Sequence, residues 1–270
     1  MDSNEKLPVI LPPKNDIVFK MLFGDKRNEE ILIAFLETIL EKKIQRINLL
    51  NPMTKQLTKD DKLSILDVKA ELESGEIIDI EMQVRNLPEM RHRITYYSAG
   101  MITEQLGKGK DYLEIKPAIS IIIVAESLIL ESKKCHNVFS MLEKDEKFSF
   151  NDLQEIHILD LSRIKNERNE TLSDWLNFIN SEKEEEFMAV AQKNKTINVA
   201  FDELKVMSAD KTRRMIYEGR LKQQRDISSI KNGAIRERTR EIAKNMKNMG
   251  LKVNDISKAT GLFVDDILRL

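Results

Sequence analysis

The sequence predicts an α/β domain over residues 1–165 and an all-helical extension over residues 166–270. Three observations carry that reading. Two short runs, Ser64–Glu71 and Ile77–Val84, alternate apolar and polar residues with the period of a strand and flank the turn sequence ESGE. "PAISIIIVAES" is a continuous aliphatic strand of the kind buried on both faces. From about Glu170 to the end the apolar spacing is helical throughout.

The elements follow in order. Ile17, Val18, Met21 and Leu22 mark one helical face, with Asn15 or Asp16 to cap its start and Gly24 to end it. "NEEILIAFLETILEKK" is a second helix, with acids in its first turn and lysines in its last. Residues 46–58 fit either a strand or an irregular connection. After the hairpin, "LPEMRHRITYYSAGMITEQLGKG" reads as a long helix, started by Pro88 and ended by Gly107 or Gly109. "CHNVFSMLEK" and "EIHILDLSRI" alternate as half-buried strands. The extension carries the only tryptophan, Trp175.

Composition narrows the function. Lys and Arg together number 44 and Asp and Glu 45, so the chain is no polycation, and nucleic-acid binding has to come from a local patch. One cysteine, Cys135, and three scattered histidines, His92, His136 and His157, do not make a zinc ligand set. The acidic, proline-broken start is unlike a signal peptide, and the longest apolar run, Ala118–Ala125, is too short to cross a bilayer. A cytoplasmic protein without a membrane or organic cofactor is the expectation.

The hairpin holds an unusual density of charge. Asp79, Glu81 and Gln83 share one side of the second strand, opposite Ile78, Ile80, Met82 and Val84. Asp67, Lys69 and Glu71 share one side of the first. With an odd-length loop, Asp67 and Glu81 project from the same face and can bracket a divalent ion. The alternative is the solvated face of an ordinary antiparallel sheet. Repulsion between close carboxylates weighs against that alternative unless a cation or proton intervenes.

The spacing D-(x)13-E-x-Q, together with "PPKNDIVFKMLFGDKRNEEILIAFLETIL", "SILDVKAELESGEIIDIEMQV", "RITYYSAGMITEQLGKGKDY" and "KPAISIIIV" in that order, resembles the PD-(D/E)XK nuclease family transposases, the recombination-promoting nuclease group. The likeness runs from about residue 10 to the C-terminus. It implies a restriction-endonuclease-like mixed sheet flanked by helices and a Mg²⁺-dependent DNA endonuclease, with Mn²⁺ able to stand in. Residue by residue, Asp67 and Glu81 match the two acids and Gln83 the usual lysine. Asp67, Glu81 and the main-chain carbonyl of Met82 would hold the metal, and Gln83 would orient the water. Glutamine brings no charge, which leaves a non-catalytic DNA-binding or assembly protein on a degenerate nuclease fold as the alternative. Lys69 shares Asp67's strand face and is a candidate for the missing charge. Glu29, Glu30 or Glu37 is the candidate upstream acid.

Arg91 and Arg93, near the start of the third helix, are candidates for gripping phosphates beside the metal. The tail has a local basic surplus from Arg213 to Lys247. Ile235, Thr239, Ile242, Met246 and Met249 step by four and three, a seam suited to packing or a homodimer. The last residues resemble a helix-turn-helix end, but Asp265 and Asp266 in its second helix would repel DNA, so a packing role is the expectation.

Overall fold

The computed structural model describes residues 10–50, 67–84, 87–107, 109 and 111–270. The expected opening residues of the hairpin, Ser64, Ile65 and Leu66, and the later part of the ambiguous 46–58 segment lie outside the described residues.

Helix α1, Asp16–Phe23, begins where Asn15 Oδ1 and Asp16 Oδ1 both accept from the Ile17 N–H. It ends at Gly24, whose N–H returns to the Lys20 carbonyl. Every residue from Ile17 to Phe23 is buried, Lys20 included. Helix α2, Glu29–Leu40, stops short of the expected lysines because Glu41 turns left-handed at φ 51°. Glu37 then accepts the Ile44 N–H at 2.9 Å, which folds the chain back toward the sheet. The ambiguous segment begins with a short strand, β1, Ile47–Leu49.

The hairpin forms β2, Val68–Leu72, and β3, Ile77–Gln83. Leu72 N–H bonds the Glu76 carbonyl at 2.9 Å, and Gly75 N–H bonds the Leu72 carbonyl at 2.8 Å. That closes a tight turn in which Gly75 takes φ 97°, a conformation that costs a side chain dearly. Helix α3, Met90–Thr103, returns the chain to β4, Ala118–Val124, which pairs parallel to β3 and is buried end to end. The helix ends before the expected glycines because the Gln105 side chain bonds both main-chain groups of Lys116, pulling the chain off the helix axis. Strands β5, His136–Ser140, and β6, Gln154–Asp160, pair antiparallel to each other, and β6 lies parallel to β4.

Among the described residues the result is a mixed six-stranded sheet in the order β1-β2-β3-β4-β6-β5. Its parallel centre needs crossover connections, and α3 provides the first. Met90 and Ile94 of α3 pack on Ile122, Val124 and Ile158. By register, that is the sheet face carrying Asp79, Glu81 and Gln83. Val68, Ala70, Ile78, Ile80 and Ile121 are fully buried on the other face.

Helices α4 (Glu170–Asn180), α5 (Glu184–Ala191) and α6 (Lys195–Ala209) belong to the same compact unit as the sheet, which extends to Arg214. The expected boundary near 165 falls in a 3-10 turn, Leu161–Asn166, and α4 and α6 pack on α2. The fully buried Trp175 sits 5.5 Å from Phe35 and 6.1 Å from Phe23, ring centre to ring centre. The second unit, Met215–Leu270, holds most of the long helix α7 (Lys211–Asn248), with α8 (Val253–Thr260) and α9 (Val264–Leu268). Ala243, Ile256 and Ile267 form its small core, joined by Met246. Ile235, Ile242 and Met249 of the expected seam are exposed.

Candidate active site

The β2–β3 ladder sets Val68 opposite Ile80 and Lys69 opposite Asp79. Cross-strand partners point to the same face. Continuing that register one step sets Asp67 opposite Glu81, on the face of Asp79 and Gln83. The tight turn at Gly75 therefore decides which acids meet.

Asp79 is the most perturbed member. It is only 8% exposed, and its Oδ1 has no hydrogen-bond partner among the described residues. Burial pushes its carboxyl up to about 8, helped by the charge of Asp67 and by a hydrogen bond to Asp67 that favours the protonated form. Burial also raises Glu81, opposed by the hydrogen bond from Gln83 and the charge of Arg93. Gln83 Nε2 donates to Glu81 Oε1, so in this conformation the glutamine orients the second acid.

The Met82 carbonyl can be placed from the pairing of its neighbour. Gln83's carbonyl accepts from the Ala125 N–H and so faces β4. Successive peptide groups alternate, which turns the Met82 carbonyl to the β2 side, where Asp67 stands.

Two lysines border the acids. Lys69 Nζ lies 3.7 Å from Asp67 Oδ2 and is partly exposed. Lys20, from α1, is 2% exposed and donates from Nζ to the main-chain carbonyl of Asp67 at 2.7 Å. Burial lowers its ammonium to about 8, while Asp67 and Asp79 pull it the other way.

The arginines divide. Arg93 stands close enough to Glu81 to stabilise its charged form, with its guanidinium 5.9 Å from the Tyr97 ring centre. Arg91 is turned to Glu131 Oε2 at 2.6 Å and the Leu128 carbonyl at 2.9 Å. Among the suggested upstream acids, Glu37 is engaged with Ile44 and Lys43, while Glu29 and Glu30 lie in the first turn of α2.

Sequence reasoning noted Asp79 on the polar strand face but did not select it, and it passed over Lys20. The signal for Lys20 was present: a lysine with apolar residues at every neighbouring helix position, from Ile17 to Phe23. A charge there has no route to water along its own helix and needs an anionic or carbonyl partner.

The donor set suits a hard cation. Carboxylate and carbonyl oxygens are the ligands Mg²⁺ takes, and Asp79 Oδ1 is a buried carboxyl oxygen with no hydrogen-bond partner among the described residues. Among the described residues no three His, Cys, Asp or Glu side chains already converge as a metal-binding set. A pair of carboxylates with a carbonyl requires no third side chain.

No curated protein and no solved structure matches the chain. A family profile described as PD-(D/E)XK nuclease family transposase matches residues 13–234, which include the sheet, the hairpin acids, Lys20 and much of α7. The chain belongs to the PD-(D/E)XK nuclease family transposases.

Proposed function

We propose that the hairpin face is the active site of a metal-dependent DNA endonuclease of the recombination-promoting type. The observation that supports this best is the register that pairs Asp67 with Glu81 beside the buried, under-bonded Asp79. A sheet of purely structural purpose gains nothing from three carboxyl groups held this close, because each raises the energy of the others.

In this reading Asp67, Glu81 and the Met82 carbonyl would hold Mg²⁺, or Mn²⁺ in its place. Bound there, it would supply neutralisation of phosphate charge and a more acidic water. Gln83 fixes Glu81 through its amide N–H and offers its remaining amide groups to the attacking water. Lys69 and Arg93 hold phosphate oxygens at the edge of the site. The water oxygen would bond phosphorus as one bridging P–O bond of the DNA backbone breaks in line with the attack, the water's proton passing to solvent and the leaving oxygen taking one up, which yields a terminal phosphate and a hydroxyl. The basic surplus along α7 adds sequence-independent affinity for DNA, and the exposed Ile235 and Ile242 of α7 with Met249 just beyond it suit a homodimer.

The missing lysine at position 83 supports a second reading, a DNA-binding or assembly protein without catalysis. The test is nicking of supercoiled plasmid by the full chain with Mg²⁺ or Mn²⁺, beside Asp67→Ala and Glu81→Ala. Metal-dependent nicking lost in both variants is expected. Plasmid that is shifted but uncut, with binding unaffected by either substitution, replaces the nuclease with the binder.

A further inference from the structure

We propose that Lys20 is a positioning residue of this site, the positive charge that the Glu81-x-Gln83 strand lacks, delivered instead from helix α1. The inference rests on the endonuclease reading for its catalytic arm and on geometry alone for its electrostatic arm.

The geometry is specific. Lys20 is 2% exposed and its Nζ donates to the Asp67 carbonyl at 2.7 Å, holding the residue just before β2. A buried ammonium is costly unless anionic and carbonyl oxygens surround it. A methionine would serve the packing of α1 at less cost, so packing alone does not account for a lysine here. Its surroundings are the two aspartates of the hairpin face, Asp67 and Asp79, with Lys69 also within electrostatic reach.

A Cβ on Gly24 would stand 2.7 Å from the Lys20 main-chain carbonyl, so the glycine serves the closing turn of α1 and not the lysine side chain, whose Cδ would lie at ordinary contact distance, 3.4 Å. Lys69, by contrast, is partly exposed and 3.7 Å from Asp67, which makes it the looser charge.

Lys20 acts through Asp67. It ties down the main chain of the first acid and offsets the mutual repulsion of the buried carboxylates. It also opposes a divalent cation held by the same acids, since like charges at short range repel. This gives the test its sign. A merely structural lysine, once removed, loosens Asp67 and weakens cation binding. A charge-balancing lysine, once removed, strengthens it.

The experiment uses the full chain and Lys20→Met, which keeps volume and drops charge, with Lys20→Arg as the conservative variant. Mn²⁺ binding without DNA is measured by calorimetry, and plasmid nicking is measured for kcat and KM at saturating Mn²⁺. For Lys20→Met the proposal expects Mn²⁺ to bind at least ~3-fold more tightly and kcat to fall at least ~10-fold with KM little changed. Lys20→Arg should recover part of kcat. Weaker or unchanged Mn²⁺ binding in a folded Lys20→Met overturns the proposal, as does wild-type nicking. If the wild-type chain binds Mn²⁺ but does not nick, the endonuclease reading fails, and the direction of the Mn²⁺ change alone decides Lys20.

Discussion

Lys69 stands directly across the β2–β3 ladder from Asp79, yet its ammonium reaches back along its own strand to Asp67, 3.7 Å away. Asp79 is left with burial and a neighbouring acid as its dominant influences. The consequence is measurable. Its carboxyl value of about 8 in the fold lies above the ordinary 3.8, so the folded chain binds the extra proton between those values. The stability tied to that proton is complete below 3.8 and is lost as pH rises through about 8. Asp79→Asn should therefore melt at least ~2 °C above wild type at pH 8.5 in EDTA, with the difference shrinking toward pH 5. Added Mn²⁺ should raise the melting temperature of wild type more than that of the variant. Equal melting curves at both pH values would refute the assignment of Asp79.

Arg91 and Arg93 differ in what already holds them. Arg91 is engaged with Glu131 and the Leu128 carbonyl, whereas Arg93 lies within electrostatic reach of Glu81. In an Asp67→Ala background, Arg93→Ala should weaken DNA binding by ~3–10-fold and reduce its salt dependence. Arg91→Ala should change it by less than ~2-fold. Gel-shift titrations at two salt concentrations separate these outcomes, and equal losses would place both arginines on the DNA.

A relay of Glu155, the buried His157 and His136 lies on the sheet away from the acids. His136 Nε2 is 2.8 Å from His157 Nδ1, and His157 Nε2 is 2.5 Å from Glu155 Oε1. Burial, then the charge of His157, lowers His136 from 6.5 to about 4. The unfolded chain takes up that proton first, so this contribution to stability is lost as pH falls from 6.5 toward about 4. His136→Gln should cost ~1 kcal/mol at pH 7.5 and show a shallower acid loss than wild type in urea titrations. Parallel losses in the two proteins would exclude His136 as the source.

Trp175 carries the packing of α4 against α1 and α2 through Phe23 and Phe35. Trp175→Ala should destabilise the first unit by ~3–5 kcal/mol, read as a lowered urea midpoint of the sheet's far-ultraviolet signal. A cost under ~1 kcal/mol would mean that α4–α6 form a satellite of the core.

Much of this was legible in the chain. The alternation in β2 and β3, the aliphatic run of β4 and the Asn15 and Gly24 punctuation of α1 each follow from local chemistry. Glu81 and Gln83 were readable as one polar face because strand period is a property of the backbone, whereas Asp67 joined them only on the condition of an odd-length loop. The end of α2 was not readable, since a left-handed Glu41 and the reach of Glu37 to Ile44 are not written in helical periodicity. Nor was the attachment of α4–α6 to the first unit, because an aromatic cluster spanning α1, α2 and α4 joins residues far apart in sequence.

The amino-acid order alone was enough to set the hairpin, its charged face and the spacing of its acids, because each depends on residues within a few positions of one another. The fold supplied the rest. It buried Asp79 without a donor for Oδ1, and it carried Lys20 across 47 positions to the Asp67 carbonyl. Burial and long-range contact are properties of packing in three dimensions. A lysine and an aspartate so distant along the chain show no sign of each other until the helix and the strand that bear them meet.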